Sequence, residues 1–384
     1  MSAAPLRIAV VTGTRAEFGL LTPVIRALRE ERSAQTFVIA CGAHLLAPAR
    51  TIDEVQREFG VDAIVPMQRD GETGRLADAA ALGRGVEGIA GAIAELKPHW
   101  VIVLGDRIEA FAGAIAASVG GVALAHIHGG DRAEGIADEA MRHAITKLAH
   151  LHLAATAQSA ERIIRMGEAP DRVHVVGSPA IDGLSEVVAM SDREAAELGD
   201  PAMVFLMHPS DLPEIQERLL ARNTLEAMAG ELCGRGALCL APNSDPGRES
   251  IVAEIASAAN RHGWRVLEHL PRARFLSLLK RLAQTKDGLL IGNSSAGLIE
   301  CAALQLPVVN VGPRQAGRER PDNVCDAQGD SIESVRQAII RARGMNRAGL
   351  KHPYGGGGVG RRIAALVTGT DISVPDFRRK RCAY

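Results

Sequence analysis

The stretch RIAVVTGTRAEFGLLTPVIRALREE (Arg7–Glu31) decides the fold class of this 384-residue chain. Its first part, Arg7–Gly13, is a short apolar run of the kind that forms a buried strand, and Leu20–Glu31 then follows helical periodicity. A second apolar run, Phe37–Gly42, starts the cycle again. Strands that alternate with helices in this way predict a parallel sheet covered by helices on both faces.

The alternation continues along the chain on both sides of one interruption. Strands are predicted at Ala63–Met67, Trp100–Gly105, Val122–Ile127, Leu151–Ala155 and Val173–Val176, and helices at Leu76–Lys97, Glu109–Val119, Asp138–Ala149 and Ser159–Met166. After the interruption at 178–200, strands resume at Met203–Met207, Ala237–Leu240, Trp264–Leu267, Leu289–Ile291 and Val308–Val311. We therefore predict an α/β protein with two Rossmann-like doubly wound domains facing a cleft, at residues 1–180 and 181–370. The last helix, Val359–Val367, is a candidate for packing back on the first domain.

Composition excludes several classes of protein. The net charge of -1 at pH 7 gives no global electrostatic reason to bind nucleic acid or an anionic membrane. The six cysteines are scattered without a CxxC pair, which is typical of reduced thiols. The N-terminal residues lack the features of a signal peptide, and no apolar run approaches the roughly 20 residues that span a bilayer. We expect a cytoplasmic protein with neither a nucleic acid nor a membrane as partner.

Candidate functional residues follow the predicted strands, because ligands of doubly wound sheets bind beyond the carboxyl ends of the strands. The turn Thr12–Gly19 suits an anion but does not match GxGxxG, so it gives no support for a nicotinamide cofactor. Arg15 in this turn offers a donor fork for a diphosphate, or forms a surface salt bridge. Asp106, after the strand Trp100–Gly105, is a candidate base or ligand of a sugar hydroxyl, or a helix N-cap.

The segment from His126 to His143 is unusually dense in titratable side chains. His126 and His128 share one face of a strand because side chains alternate, but the neighbouring carboxylates lie in a glycine loop that does not resemble a closed metal site. General acid and base catalysis explains the density better, because carboxylates in different surroundings have separate pKa values. A polar loop with helix caps explains Asp138 well but the remaining density poorly.

In the second half of the chain, polar clusters again follow strands. His208 follows Met203–Met207, Asn243 and Asp245 follow Ala237–Leu240, and His269 follows Trp264–Leu267. The clearest pattern is IGNSSAGLIE (Ile291–Glu300), in which small residues lead directly into a predicted helix. A phosphate can approach the backbone N–H groups there. Ser294 and Ser295 add donors, Glu300 could reach ribose hydroxyls, and three arginines complete a basic rim: Arg314, Arg318 and Arg320.

Seven strings in order resemble the hydrolysing UDP-N-acetylglucosamine 2-epimerases of sialic acid and legionaminic acid biosynthesis. They are VTGTRAEFGLL (Val11–Leu21), GDRIE (Gly105–Glu109), HIHGGDRAEG (His126–Gly135), DEAMRHAITKLAHLH (Asp138–His152), VGSPAIDGL (Val176–Leu184), GNSSAGLIE (Gly292–Glu300) and GPRQAGRERPDNV (Gly312–Val324). The resemblance implies a glycosyltransferase-B type fold with UDP held mainly by the C-terminal domain. It also implies a reaction in two stages: UDP is eliminated to give a 2-acetamidoglucal, and water then adds to release a free N-acetylmannosamine-type sugar.

The resemblance also implies roles for individual residues. The catalytic carboxylates would be Asp106, Asp131 and Asp138, with Glu134 in reserve, and His208 would contact the diphosphate and assist UDP departure. Nucleotide contacts would come from Arg15, Asn243, Asp245, His269, Ser294, Ser295, Gly297, Glu300 and Arg314. No metal and no cofactor would be required, and the chain would form a homodimer or homotetramer.

Departures from the family pattern leave several alternatives open. Non-hydrolysing relatives carry a glutamate where this chain has His128 and a lysine shortly after the position of Arg15, so the hydrolysing branch is favoured. The usual YGDG is replaced by Tyr354–Gly358, which predicts a flexible loop. The motifs do not separate UDP-N-acetylglucosamine from UDP-2,4-diacetamido-2,4,6-trideoxyglucose or a GDP-linked sugar. A non-hydrolysing epimerase, a glycosyltransferase and a catalytically silent nucleotide-sugar binding protein also remain.

Overall fold

The computed structural model describes residues 4–47, 50–72, 74–134, 138–243, 245, 247–374 and 376–383. Three motif positions from the sequence, Gly135, Ser244 and Pro246, lie outside the described residues. The chain forms two compact units: the first comprises Met1–Asp131, Asp138–Asp182 and Gly355–Tyr384, and the second comprises Arg132–Ala137 and Gly183–Tyr354. The sequence predicts a second domain that ends at residue 370, whereas the structure groups residues from Gly355 onward with the first unit.

The first unit contains a seven-stranded parallel sheet in the order β3-β2-β1-β4-β5-β6-β7. Its strands are β1 (Leu6–Thr12), β2 (Ala34–Cys41), β3 (Ala63–Val65), β4 (Trp100–Leu104), β5 (Ala123–Ile127), β6 (Leu151–Ala154) and β7 (Val173–Val175). Its helices are α1 (Arg15–Glu30), α2 (Ile52–Phe59), α3 (Arg75–Leu96), α4 (Ile108–Val119), α5 (Asp138–Leu148) and α6 (Ala157–Arg165), joined by α14 (Val359–Gly369) from the end of the chain.

The second unit contains a six-stranded parallel sheet in the order β10-β9-β8-β11-β12-β13. The strands are β8 (Pro201–Leu206), β9 (Gly236–Leu240), β10 (Arg265–Leu267), β11 (Leu289–Gly292), β12 (Val308–Val311) and β13 (Val324–Ala327). The helices are α7 (Asp192–Glu197), α8 (Glu214–Leu232), α9 (Arg248–His262), α10 (Arg272–Gln284), α11 (Ser295–Leu298), α12 (Glu300–Ala303) and α13 (Ile332–Arg343). Both sheets reverse their direction of winding beside the first strand, which confirms two Rossmann-like doubly wound domains.

The central strands are mainly apolar because they are buried on both faces of each sheet. Along β1, Ile8 and Val10 belong to a core with α1 and α14, whereas Ala9 and Val11 belong to a core with α3 and α4. Side chains of a strand alternate between its two faces, so a strand between two helix layers must be apolar at every position. The short run Arg7–Gly13 was recognisable in the sequence for this reason.

Helix α1 begins five residues before the predicted start at Leu20. The side chain of Thr14 accepts the backbone N–H of Glu17 at 3.3 Å, so an N-cap starts the helix at Arg15, within the turn that follows β1. Strand β13 was not predicted. It is a four-residue edge strand whose side chains are mostly partly exposed, so its sequence shows no buried apolar run.

The C-terminal helix α14 packs on α1 and is capped by a side chain from earlier in the chain. Asp182 accepts the backbone N–H groups of Val359 at 2.9 Å and Gly360 at 2.7 Å. A Cβ atom at Gly360 would lie 2.4 Å from the carbonyl oxygen of Pro23, so only glycine permits this approach of α14 to α1. Within the described ranges, no helix combines the length and the apolar character needed to cross a membrane.

Candidate active site

Two carboxylates meet one arginine at the carboxyl ends of β4 and β5. Asp106 follows β4 and forms an ion pair with Nη2 of Arg142, a residue of α5. The Nη1 atom of the same guanidinium lies 3.8 Å from Oδ2 of Asp131, which follows β5. The Arg142 side chain is 4% exposed, so one buried cation joins the loops of two neighbouring strands.

Asp131 is held by further hydrogen bonds. Its Oδ2 lies 2.8 Å from Nδ1 of His128, and its Oδ1 accepts the hydroxyl proton of Ser159 at 2.8 Å. Since an ionised carboxylate only accepts, Nδ1 of His128 donates to it. A neutral ring then accepts the hydroxyl proton of Ser178 at Nε2, over 2.9 Å. Asp131 is therefore a buried and well-partnered carboxylate, whereas the side chain of Asp106 remains 15% exposed.

His126 and His128 do not share one face of the strand. Strand β5 ends at Ile127, and His128 has a φ of 62°, so the alternation of side chains stops before it. His126 instead contacts the carbonyl oxygen of Gly105 at 2.8 Å and the hydroxyl of Thr146 at 3.2 Å. Burial lowers the pKa of His126 to about 3, so this ring is neutral at ordinary pH. Among the described residues, no group of three or more His, Cys, Asp or Glu could hold a metal ion.

The other two carboxylates of this segment are more exposed. Asp138 is the first residue of α5, and its Oδ2 lies 3.6 Å from Nη1 of Arg107. Glu134 is exposed, forms an ion pair with Arg132, and donates its backbone N–H to the carbonyl oxygen of Ala316 at 3.1 Å. Its segment groups with the second unit, whereas Asp106 and Asp131 belong to the first.

The turn after β1 contains Arg15, and its Gly13 contacts two buried acids, Glu17 and Glu109. Nη1 of Arg15 is buried and has no hydrogen-bond partner among the described residues, and burial lowers the pKa of Arg15. Glu17 accepts the backbone N–H of Gly13 at 3.0 Å. Burial, reinforced by the charge of Glu109, raises the pKa of Glu17 to about 8 although the Gly13 bond opposes the shift. A Cβ atom at Gly13 would lie 2.2 Å from Cγ of Glu109, so this turn requires glycine to pass the buried acid.

In the second unit, the loops after β8, β9 and β12 converge through polar side chains. Nδ1 of His208 accepts the backbone N–H of Asn243 at 3.1 Å. The side-chain amide of Asn243 donates to Oδ2 of Asp245 at 2.5 Å, and Nη2 of Arg314 lies 3.6 Å from that oxygen. The structure thus brings together four of the residues that the sequence predicts to contact nucleotide or diphosphate.

The segment after β11 contains the predicted turn, but the helix is interrupted. Ser294 caps the four-residue α11 by accepting the backbone N–H of Ala296 at 3.4 Å, and Ser295 is exposed. The sequence predicts one continuous helix here, and this prediction is wrong. The helix is interrupted at Ile299, and a second helix, α12, begins at Glu300.

Two predicted nucleotide contacts in this segment have partners within the protein. A Cβ atom at Gly297 would lie 2.8 Å from Cγ1 of Val308, so this glycine permits close packing on β12. Glu300 is buried and accepts a hydrogen bond from Nη1 of Arg272 at 2.9 Å. A ribose contact by Glu300 would therefore have to coexist with this ion pair.

The remaining predicted contacts lie in the loops after β10 and β12. His269 is partly buried two residues beyond the end of β10. Arg318 donates to the side-chain oxygen of Gln315 at 3.2 Å. Arg320 binds Asp326 at 3.0 Å and the carbonyl oxygen of Gln315 at 2.8 Å, so its guanidinium stabilises this loop.

Comparison with known proteins places this arrangement in a family. The sequence profile of the UDP-N-acetylglucosamine 2-epimerases matches residues 26–368 of the chain. This chain belongs to the UDP-N-acetylglucosamine 2-epimerase family.

Relatives in this epimerase family are similar over nearly the full chain. A UDP-N,N'-diacetylbacillosamine 2-epimerase (hydrolysing) of Legionella pneumophila is 32% identical over 373 residues, 94% of this chain and 95% of the relative. A UDP-N-acetylglucosamine 2-epimerase of Neisseria meningitidis serogroup B is 30% identical over 357 residues, 91% of each chain. The solved UDP-GlcNAc 2-epimerase from Neisseria meningitidis, bound to UDP-GlcNAc, matches with a TM-score of 0.78 at 18% identity. The match covers 95% of this chain and 100% of the other. The fold is therefore of the glycosyltransferase-B type.

Several side chains of this epimerase join the clusters without having been singled out from the sequence. Ser159 and Ser178 bind the Asp131 and His128 pair, and Arg272 binds Glu300. Ser178 follows β7, so the rule that polar residues after strands form the site could have found it. Ser159 lies within the first turn of α6 and Arg272 starts α10, and neither position has a local sequence feature that marks it.

Proposed function

We propose that this epimerase is hydrolysing: it converts UDP-N-acetylglucosamine or a close analogue to UDP and a free N-acetylmannosamine-type sugar. The observation that carries the proposal is the cluster in which Arg142 joins Asp106 to Asp131. It provides an accessible carboxylate, Asp106, beside a buried cation that Asp131 helps to hold, and a carboxylate held in this way can remove a proton from the sugar. The 32% identity to a relative named as hydrolysing supports the same subtype.

The chemistry proceeds in two balanced steps. A carboxylate removes the proton at sugar C2 while the C1–O bond breaks, and UDP leaves with the electron pair of that bond. A double bond between C1 and C2 results. Water then adds to the 2-acetamidoglucal. Its hydroxyl joins C1, and a proton joins C2 on the face opposite to the one that lost its proton in the first step, so the configuration at C2 is inverted. Because the C2 proton is barely acidic, the departure of UDP must lead, and cations near the diphosphate lower this barrier.

Exposure divides the carboxylates by role. Asp106 is accessible and paired with a buried cation, which favours its ionised form, so we assign to it the removal of the C2 proton. Asp138 is partly exposed beside Arg107, and we assign to it the proton exchange of the second step, with Glu134 as its alternative. Asp131 is buried and fully engaged, so we assign to it the orientation of Arg142 and His128.

The nucleotide is assigned to the residues that the sequence predicts to contact it. His208, Asn243, Asp245 and Arg314 form one connected group, which supports a common diphosphate site. Arg15 has a buried guanidinium nitrogen with no partner in the described structure, and an anionic oxygen would satisfy it. His269, Ser294, Ser295, Gly297 and Glu300 remain proposed nucleotide contacts.

The observations restrict the identity of the sugar and of the nucleobase less than they restrict the class of reaction. UDP-2,4-diacetamido-2,4,6-trideoxyglucose is the first alternative, because the 32% identical relative is named for that type of sugar. A GDP-linked sugar is the second. A catalytically silent nucleotide-sugar binding protein is the alternative from another class, and the presence of Asp106, Asp131 and Asp138 weighs against it.

Proton NMR in D₂O tests these possibilities together. Purified protein is incubated separately with UDP-N-acetylglucosamine, its 4-acetamido-6-deoxy analogue and a GDP-linked counterpart. Free N-acetylmannosamine with deuterium at C2 is the expected product, and release from the analogue alone would move the protein to the legionaminic branch. A UDP-linked mannosamine would show the non-hydrolysing reaction. Binding without turnover of all three would leave only the silent binding protein.

We also propose that the protein is a cytoplasmic homo-oligomer. All six cysteines are free, which supports function in the reducing cytoplasm. We propose a homodimer or homotetramer, and light scattering of the purified protein at several concentrations tests that assembly. A single species at the monomer mass would contradict it.

A further inference from the structure

Asn293 lies beside His208 at the point where the second sheet reverses its winding. Strands β8 and β11 are neighbours in this sheet, with Leu206 paired to Gly292. Asn293 directly follows β11, and His208 lies two residues beyond the end of β8. Ligands of doubly wound sheets bind where neighbouring strands send their connections in opposite directions.

The side-chain amide of Asn293 binds both the backbone N–H and the backbone carbonyl oxygen of His208. The N–H of His208 donates to Oδ1 of Asn293 at 2.7 Å, and Nδ2 of Asn293 donates to the carbonyl oxygen of His208 at 2.8 Å. The same Nδ2 lies 3.1 Å from the hydroxyl of Ser210. Asn293 is 1% exposed, so these bonds are made away from water, where unpaired groups are costly.

Gly292 makes this contact possible. Its φ is 145°, and a Cβ atom there would lie 1.9 Å from the carbonyl oxygen of Leu206. Any side chain would therefore push the end of β11 away from β8, and with it the amide of Asn293. The carbonyl oxygen of Asn293 in turn accepts Nε2 of Gln315 at 2.8 Å, which ties the residue to the loop after β12.

The ring of His208 is oriented by a separate hydrogen bond, from the backbone N–H of Asn243. Because Nδ1 accepts the backbone N–H of Asn243, the proton of the neutral ring lies on Nε2. Backbone position and ring tautomer are thus fixed by two different loops. A ring held in this way presents an N–H donor rather than an acceptor, which is the group that a phosphate oxygen requires.

We propose that Asn293 is a positioning residue: it holds His208 so that Nε2–H hydrogen bonds the diphosphate as the C1–O bond breaks. This inference rests on the proposed function. Among common side chains of this size, an amide alone supplies one acceptor for the His208 N–H together with two donor protons, one for the His208 carbonyl and one for Ser210. A carboxylate at this position would face the carbonyl oxygen without a donor.

A double-mutant cycle tests whether Asn293 acts through His208. Asn293→Ala, Asn293→Asp and His208→Ala are made singly, and each Asn293 substitution is combined with His208→Ala. Asn310→Ala is the control, because Asn310 is equally buried at 1% exposure but donates to Asp326 on the neighbouring strand. We expect Asn293→Ala to lower kcat about 100-fold, as misplacement of a catalytic group does, and to change the Kd for UDP less than kcat. Asn310→Ala should keep kcat within about threefold of the wild-type value, since Asn310 forms no hydrogen bond with Asn293 or His208.

The cycle separates positioning from loss of stability. In the His208→Ala background, the Asn293 substitutions should have little further effect on kcat, because the group they position is absent. Equal losses of kcat in both backgrounds would overturn the inference, as would wild-type kcat in Asn293→Asp. If Asn293→Ala does not fold, Asn293→Asp carries the same comparison.

An independent readout is the tautomer of the His208 ring. ¹⁵N NMR of the wild type with labelled histidine should show a proton on Nε2. Asn293→Asp should show a mixture of tautomers, because displacement of the His208 backbone weakens the bond from the Asn243 N–H to Nδ1. An unchanged tautomer together with an unchanged kcat would contradict the positioning role. Absence of turnover by the wild-type protein on every nucleotide sugar would instead contradict the proposed function, so the two failures are distinguishable.

Discussion

Arg142 forms an ion pair with Asp106 in which the guanidinium is 4% exposed and the carboxylate is 15% exposed. A buried cation thus lies beneath an acid that is still accessible. The pairing favours the ionised carboxylate, which a base requires, and it fixes the direction of the carboxylate because Arg142 also approaches Asp131.

Asp106→Asn should fold and bind UDP but lose turnover by about 10²- to 10⁴-fold, the contribution of a positioned acid or base. The amide keeps the shape of the side chain but cannot accept the C2 proton. Product release is measured by NMR and UDP binding by calorimetry. Asp171→Asn is the control, because Asp171 is exposed in a surface turn of the same unit. Wild-type rates from Asp106→Asn would remove Asp106 from the mechanism.

Arg142→Ala should destabilise the protein by about 3 to 5 kcal/mol, because it leaves buried carboxylates without their cation. Combining it with Asp106→Asn should recover part of that loss, since one negative charge is then removed. Urea unfolding of the two single variants and the double variant measures the coupling. Strictly additive losses would show that Arg142 and Asp106 do not interact in solution.

Glu17→Gln should make the protein more stable than the wild type at pH 8 but not at pH 4.5. Burial raises the pKa of Glu17 from 4.5 to about 8, so between these values the folded chain holds a proton that the unfolded chain has lost. Stability therefore falls as pH rises through this window, by at most about 1.4 kcal/mol per pH unit. The glutamine keeps an acceptor for Gly13 and does not titrate. Chemical unfolding at pH 4.5, 6 and 8 measures the free energy of unfolding of both proteins. The same pH dependence for the wild type and Glu17→Gln would contradict the prediction.

Glu168→Gln should lower the free energy of unfolding above pH 4.5, and the difference from the wild type should disappear as the pH falls towards 2. Burial raises the pKa of this carboxyl, but hydrogen bonds from His152, Lys147 and Lys380 prevail and hold the pKa at about 2. The unfolded chain binds a proton near the ordinary value of 4.5, so the stabilisation is complete above it and disappears as pH falls towards 2. Acid unfolding curves of the two proteins should differ in this window.

The control for that experiment is Glu161→Gln on α6. Glu161 forms an exposed ion pair with Arg165, and such pairs contribute little. An acid-unfolding curve for Glu168→Gln that resembles the curve for Glu161→Gln would show that the buried cluster adds no stability.

Sequence was sufficient where burial alone determines structure. The strand Val308–Val311 has the bounds predicted for it, because a strand covered on both faces forms a short, mainly apolar run. The placement of His208 and Asn243 after strands could likewise be predicted, since the carboxyl ends of parallel strands share one edge.

What could not be predicted depends on partners distant in sequence. His128 leaves the strand with a φ of 62° and binds Ser178, which is 50 positions away. Asn293 reaches His208 across 85 positions because two strands that are far apart in the chain are neighbours in the sheet. No local pattern encodes such pairs. The break at Ile299 was missed for another reason, because the residues around it are compatible with a continuous helix.

The return of α14 to the first unit sets an order for synthesis on the ribosome. Val359, Ile363 and Val367 belong to the same core as the strands that begin at Leu6, and Phe377 packs there against Trp100. The unit that the ribosome starts first is therefore completed last, after the whole second unit has emerged. Until α14 has been synthesised, the nascent chain exposes the apolar face of α1 that α14 covers in the folded protein, and such a face is a binding site for chaperones.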